Sequence, residues 1–512
     1  MTTDIDAIEL EILRNQLESA AEEMGEVLVR GAFSPNITER RDCSTALFDA
    51  EGRLVAQAEH IPVHLGAMPE AVDAVLEHDP APGDVFVLND PFAGGTHLPD
   101  VTLVSPIAPA DGIVGYAVSR AHHADVGGMA PGSMPAGARD IQQEGLRIPP
   151  TRLLAGGDPV DSIWNLVTAN VRNPAQRRAD LRAQVGANRR GADRLGELID
   201  DHGERLLAAF DAVRDYSRKR VESELDAFPD GTYIASDCLE GDGVTDADVP
   251  IEVTVTVDGA TLDVDFSGTA PQVAGNVNAP LSVAKSAVYF AVRSVTDPDV
   301  PPNGGCYEPI AVHAPAGTLL NPDPPAAVVG GNVETSQRVA DVVFRALAEA
   351  VPERVPAAGQ GTMNNLVVGG RDFSYYETIG GGMGASSAAD GPSGVQVGMT
   401  NTLNTPVEAL EVAYPLRVEQ YSLRDESGGA GRQSGGDGLI RELTVETDAT
   451  VSLLTERRRH APWGLSGGES GACGHNYIDG EAVPAKVTRD VDAGTTVRVE
   501  TPGGGGYGDS DD

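Results

Sequence analysis

Between residues 251 and 268 the chain alternates apolar and polar side chains, as IEVTVTV and TLDVDFSG, around the dipeptide Asp258-Gly259. Period two places successive side chains on opposite faces of an extended strand, and Asp-Gly between two such runs specifies a tight antiparallel turn. A chain with this pattern must build a half-buried sheet and cannot be a bundle of helices alone. Short apolar runs separated by turns also fill 44–125: TALFDAEGRLVAQ, DVFVLND, VTLVSPI and GIVGYAVSRAHH, with DAEG (49–52) as a second hairpin turn. Helical patterns lie elsewhere. Ile8, Ile12, Leu17, Met24 and Leu28 mark the apolar face of a helix over 5–30, with acids opposite. Asn173-Pro174 reads as the N-cap and first residue of a long helix reaching about Phe228, with breaks near Gly186 and Gly191. Residues 280–295 and 333–351 read as helices around a Pro/Gly-rich loop, and 420–512 as a Gly-rich region with short strands.

Segregated strands and helices predict an α+β fold with a long central helix and a small C-terminal β domain. At about 150 residues per domain, 512 residues predict about three. The boundaries fall at 1–228, an N-terminal α+β region; 229–420, a central α/β region with Gly-rich loops; and 421–512, the β-rich end.

Acids number 77 against 37 Lys+Arg, a formal charge of -40. That field repels phosphate backbones and anionic lipid, so neither nucleic acid nor a membrane surface is an expected partner. Only three of the bases are lysines, Lys219, Lys285 and Lys486. Acid excess with so little lysine predicts a protein of a high-salt cell, where repulsion is screened within about 3 Å at 1 M. The four cysteines, Cys43, Cys238, Cys306 and Cys473, form no CxxC pair, which fits a reducing cytoplasm. The N-terminus lacks the basic start and apolar run of a signal peptide, and no run of about 18 apolar residues exists to span a membrane.

No GxxxxGK[ST] occurs, so there is no P-loop. GGGGYG (503–508) matches a dinucleotide fingerprint in letters only, because no helix can follow it to present a dipole. GGGMGA (380–385) reads as a backbone-dense loop near a ligand or interface. The Gly-rich stretches 376–394 and 426–438 are candidate partner-facing surfaces, although such loops are often plain surface connections.

The chemistry gathers in the first quarter. Asp42 sits in ERRDCS, His97 and Asp100 in GGTHLPDV, and His122, His123 and Asp125 in RAHHADVGG. These are polar residues at the ends of predicted strands, where side chains are held firmly beside open space. Two imidazoles with one or two carboxylates suit zinc, manganese or iron. A metal with an open position lowers the pKa of its water from about 15.7 to about 7. Adjacent His122 and His123 on a strand point to opposite faces, so one of them faces the site; His122 is preferred, but spacing does not decide it. Glu144 in QQEGLRIPP is a candidate base or acceptor. His60 and His64 in EHIPVHLG could line the same cleft, although structural roles are commoner for such histidines. Cys43 is read as packing.

Taken in order, these blocks resemble the hydantoinase B/oxoprolinase family: ERRDCSTALFDAEGRLVAQAEHIPVHLGAMPEAV (39–72), GDVFVLNDPFAGGTHLPDVTLVSPI (83–107), HHADVGGMAPGSMP (122–135), QEGLRIPP (143–150), SGTAPQVAGNVNAP (267–280), GGNVETSQRVAD (330–341), DGPSGVQVGMTNTLNTPVEALE (390–411), ESGGAGRQSGGDGLIRE (426–442) and TPGGGGYG (501–508). The resemblance covers nearly the whole chain and implies a hydantoinase B-like fold. It also implies an A-type ATPase partner subunit that uses ATP to phosphorylate a substrate carbonyl oxygen, with this chain handling the activated intermediate at a divalent metal. His97, Asp100 and His122 match the family's metal-holding pattern, manganese in its acetone carboxylase branch, and Asp42 matches a carboxylate associated with the metal in the amide-hydrolysing branch.

The expected function is therefore the B-type subunit of an ATP-dependent amidase, hydrolysing a hydantoin, 5-oxoproline or related ring amide within a hetero-oligomer. Asp42 would complete the site or orient water, and Glu144 would shuttle protons. A subunit of an ATP-dependent ketone carboxylase, dependent on bicarbonate, is the second reading, and a non-catalytic assembly subunit the third. The chain is short beside carboxylase alpha subunits, which favours the hydantoinase-like branch.

Overall fold

The computed structural model describes residues 5–59, 61–109 and 112–509. Its strands, in chain order, are β1 (Cys43–Asp49), β2 (Leu54–Glu59), β3 (Val85–Leu88), β4 (Asp100–Ile107), β5 (Gly115–His122), β6 (Thr151–Ala155), β7 (Asp158–Pro159), β8 (Gly231–Glu240), β9 (Asp248–Asp258), β10 (Thr261–Asp265), β11 (Ile310–His313), β12 (Asn365–Gly369), β13 (Ser374–Thr378), β14 (Leu416–Arg424), β15 (Gly438–Val445), β16 (Ala449–Leu454), β17 (His475–Ile478), β18 (Glu481–Ala482), β19 (Lys486–Val491) and β20 (Thr496–Glu500). The fold is α+β, as expected, and no described helix is long and apolar enough to cross a membrane.

A seven-stranded antiparallel sheet of order β2-β1-β5-β4-β3-β6-β7 positions the site. Both of its faces are covered, which is why β1, β4 and β5 are buried at every residue. On one face Leu47, Ala117 and Ala121 pack against Leu13, Leu17 and Met24 of the helix Ala7–Gly31 and Leu195 of the helix Pro174–His202. On the other, Phe48, Val104 and Val118 join a larger core with the helices Leu281–Val295 and Ser336–Ala350 and the four-stranded sheet β11-β10-β9-β8. The Asp258-Gly259 hairpin forms as read, with Thr261 paired to Asp258 and Val249, Ile251, Val253, Val255 and Val257 turned inward.

Three details depart from the sequence reading. In the first helix Ile8 and Ile12 are exposed, and Leu13, Ala20 and Ala21 extend the buried face, because the sheet lies on that side. The long helix does not break at Gly186 or Gly191. It stops at Gly203, whose φ of +59° leaves the right-handed region, and a second helix runs Glu204–Leu225. Gly191 instead gives passage to a neighbour: a Cβ there would lie 2.4 Å from the Met24 sulfur. Asn173 precedes the helix in a left-handed conformation and its side chain makes no cap.

Two further sheets, β13-β12-β16-β19 and β14-β15-β20-β17-β18, share an apolar layer of Leu366, Val368, Leu443, Leu453, Val497 and Val499. Strands from both sides of residue 421 thus share one sheet. Of the Gly-rich segments, one part is packed inward, while residues 386–394 and 430–435 are exposed or half-buried. Segments around Gly382, Gly436 and Gly504 lie backbone to backbone, joined by bonds such as Gly504 N–H to Gly436 C=O at 2.9 Å. A Cβ on Gly504 would meet the Met383 carbonyl at 2.0 Å, so only glycine permits this packing. Residues 503–506 are all buried, as is Gly382.

Candidate metal centre

Register brings the centre together. Asp100 opens β4 and pairs directly with His122, the last residue of β5. His97 sits in the turn three residues before Asp100. His97, Asp100 and His122 offer ligand atoms that all lie within 4.8 Å of one another. Asp100 Oδ2 lies 3.1 Å from His97 Nδ1, and Oδ1 lies 3.3 Å from His122 Nδ1. All three side chains are buried.

Strand alternation settles the histidine pair. His122 shares the inner face of β5 with Tyr116, Val118 and Arg120. His123 faces the other way, with Nε2 2.9 Å from Gln184 Oε1 on the helix Pro174–His202. Burial, followed by the Arg177 charge, pushes His123 down to about 4. His97 is also lowered by burial, against the pull of Asp100. Burial alone would raise the Asp100 carboxyl, but the His97 charge and the close imidazoles of His122, His64 and His97 hold it well below the carboxylate range.

Several residues surround Asp100 that spacing did not bring forward. Thr96 Oγ1 donates to Asp100 Oδ2 at 2.9 Å, and Asn332 Nδ2 lies 3.4 Å from the same oxygen. His64, read from sequence as the commoner structural kind, has Nδ1 2.9 Å from Ser44 Oγ and Nε2 3.4 Å from Asp100 Oδ2. His60 lies outside the described residues. Asn332 is carried by a π-turn, Gly331–Thr335, a rare element often found at functional sites. The Tyr376 ring stacks on His122 with centroids 4.6 Å apart. The block GGNVETSQRVAD held a polar cluster before a helix that could have signalled Asn332; Tyr376 on a strand carried no signal.

Asp42 lines a cavity of about 20 Å³ with His64, Asp100, His122, Asn332, Tyr376, Thr400 and Thr402. It is not one of the three converging residues. Its backbone carbonyl accepts the His122 N–H at 3.0 Å, tying the end of β5 to the residue before β1. Glu144 is not among the lining residues. It closes the short helix Ile141–Glu144, fully buried, and its Oε1 accepts the N–H groups of Val328 and Val329 at 2.9 Å each. Asp125 organises a turn through Gly127, Gly132 and Arg172. Cys43 is buried in the apolar layer beneath the first helix, its thiol pushed well up by burial.

The donor set fits a divalent metal. Asp100 Oδ1 and the Nε2 atoms of His64, His97 and His122 are buried without a hydrogen-bond partner among the described residues. Each such atom costs about 1–3 kcal/mol if left unsatisfied. Imidazole nitrogens beside a carboxylate, around space for about one water-sized particle, are what a transition-metal ion would satisfy.

The profile of the hydantoinase B/oxoprolinase family matches residues 6–510. This chain belongs to that family. It is 40% identical to 5-oxoprolinase 1 of Arabidopsis thaliana over 98% of its length, while spanning 42% of that longer protein. It is 34% identical to a Pseudomonas protein named as the B component of a D-/L-hydantoinase, covering 98% of this chain and 90% of that one. Among solved structures, the ATP-dependent caprolactamase of Pseudomonas jessenii superposes with a TM-score of 0.92 at 31% identity, over 99% of this chain and 92% of that one. Acetone carboxylase superposes with a TM-score of 0.87 over 98% of this chain and 76% of that one. At 20% identity that second likeness speaks for the fold alone.

Proposed function

We propose that this chain is the B-type component of an ATP-dependent amidase that hydrolyses a ring amide after an A-type partner has activated it. The observation that carries the reading is the convergence of His97, Asp100 and His122, with unpartnered ring nitrogens, in a chain 31% identical to a caprolactamase over 99% of its length. The family names 5-oxoprolinase, hydantoinase and caprolactamase all refer to ring amides, and the Pseudomonas hydantoinase relative is named as one component of its enzyme.

An unactivated amide is a poor electrophile because resonance shortens and stiffens its C–N bond to about 1.33 Å. Phosphorylation of the carbonyl oxygen by the partner would remove that resonance. In this reading His97, Asp100 and His122 hold the metal. When bound, manganese, zinc or iron supplies Lewis-acid polarisation. Asp42, on the cavity wall, orients the attacking water. His64, braced by Ser44, and Thr96 and Asn332 fix the Asp100 carboxylate, while the Tyr376 ring holds the plane of His122. Glu144 stands behind the wall and acts by holding Val328–Val329, which lead into the turn carrying Asn332.

The test is elemental analysis of wild type and His97→Ala, purified in high salt without added metal. One equivalent less of manganese, zinc or iron in the variant than in wild type, with unchanged circular dichroism, supports the centre. Equal metal content in both after reconstitution removes it and leaves a non-catalytic assembly role. With metal present, turnover of a ring amide with an A-type partner and ATP, independent of bicarbonate, separates the amidase from the carboxylase.

A further inference from the structure

A second group of metal-ligating side chains converges away from the His97 cluster. Cys238 lies near the end of β8, Asp248 opens β9, and His460 follows β16; the sulfur, a carboxylate oxygen and a ring nitrogen lie within 4.8 Å of one another. Register accounts for two of them. Glu240 pairs with Asp248 across β8 and β9, and Cys238, two residues before Glu240, shares its face. Glu240 itself places the third. Its buried carboxylate accepts the backbone N–H groups of Arg458 and Arg459 at 2.8 Å each and of His460 at 2.7 Å, fastening this segment to the end of β8. His460 Nε2 lies 2.9 Å from Asp248 Oδ2, and Arg459 holds the other oxygen at 2.6 Å. The Asp248 and His460 side chains are 39% and 40% exposed, so one side of the group opens to solvent.

We propose that Cys238, Asp248 and His460 form a binding site for a zinc-class divalent cation. Thiolate, imidazole and carboxylate are the donors such a cation takes, with water completing the set. The supporting backbone is already in place, so binding needs no refolding of the segment. On binding, the Cys238 thiol releases its proton to solvent, and Asp248 keeps Arg459 on its second oxygen. The occupied site would pin the β8–β9 hairpin to residues 456–460. That segment also supplies Glu456 and Arg457 to a buried charge network with Asp237, Arg338 and Lys486. The site is therefore a cross-link between the central sheet and the C-terminal sheets, and it does not depend on the proposed amidase reading.

Cobalt titration of the chelator-stripped full chain tests it, because a thiolate ligand gives a near-ultraviolet sulfur-to-cobalt charge-transfer band and the His97 cluster contains no sulfur. The expected result is a band of equal final amplitude, that of one thiolate-bound cobalt, in wild type and in His97→Ala. It should be absent in Cys238→Ser and in His460→Gln, each with one equivalent less bound zinc than wild type. The two variants guard against misfolding of either one. No band in wild type at saturating cobalt overturns the site, as does a band surviving Cys238→Ser, which would place the thiolate elsewhere. The His97→Ala arm keeps failure here distinct from failure of the catalytic centre.

Discussion

Asp100 receives polar neighbours from His64, Thr96, His97, His122 and Asn332, and the adjacent histidines 122 and 123 have opposite fates. Replacing His64 by Ala should weaken metal binding about 10–100-fold, the usual effect of losing a group that orients a ligand. His123→Ala should leave metal content unchanged and lower stability by about 1–3 kcal/mol, since Gln184 loses its buried partner. Metal analysis with chemical denaturation distinguishes the two. Glu144 makes a pH prediction. Burial pushes its carboxyl up to about 8, against hydrogen bonds from Val329 and Val328, so the folded chain keeps it protonated at neutral pH. Because the folded value is raised, this proton contributes stability that is fully present below 4.5 and is lost as pH rises through about 8. Glu144→Gln keeps the acceptor oxygen and cannot ionise. Its melting temperature should therefore fall less than that of wild type across this window; parallel curves would refute the assignment.

At the scale of elements, two glycines separate close packing from mere helix position. Gly504→Ala would drive a methyl against the Met383 backbone and should cost about 3 kcal/mol or more. Gly196→Ala, in the helix Pro174–His202, meets among the described residues only Pro109, at 3.7 Å, and should stabilise by about 0.5–1 kcal/mol. Urea unfolding of both variants gives the comparison. On the proposed reading a ring amide has to enter beside a cavity of about 20 Å³, which calls for movement of part of its wall. The coil holding Thr400 and Thr402 is tied by Thr402 to Thr378, with the two hydroxyls 2.6 Å apart, by Thr402 to Arg40 at 3.1 Å, and by Leu403 N–H to the Arg40 carbonyl. A disulfide across Thr378→Cys and Thr402→Cys should slow removal of metal by a chelator, with reductant restoring the wild-type rate; equal rates would show that this coil is not the moving wall. The hairpins at 49–52 and 258–259 were legible because turn residues and period two agree locally. The helix break was not, because Gly186, Gly191 and Gly203 look alike until Met24 packs on one and a positive φ falls on another.

Over the whole molecule, 77 acids against 37 Lys+Arg leave a charge of -40 that water alone screens poorly. Lowering salt from about 1 M to about 0.1 M lengthens the screening distance from about 3 Å to about 10 Å. The melting temperature should drop by many degrees over that interval; an unchanged scanning-calorimetry trace would contradict salt adaptation. By itself the sequence determined the α+β class, the two hairpins and the family, and brought His97, Asp100 and the His122-His123 pair forward as candidates, because strand period, turn chemistry and motif blocks are local properties. Only the tertiary structure decided which of His122 and His123 faces Asp100, that His64, Asn332 and Tyr376 join them, and that Glu144 braces a wall instead of lining the cavity. It also turned Gly382, Gly436 and residues 503–506 inward as a packed layer. These outcomes depend on sheet register and on contacts between residues far apart in the chain, such as Asp100 with Asn332 and Met383 with Gly504, which no local pattern encodes.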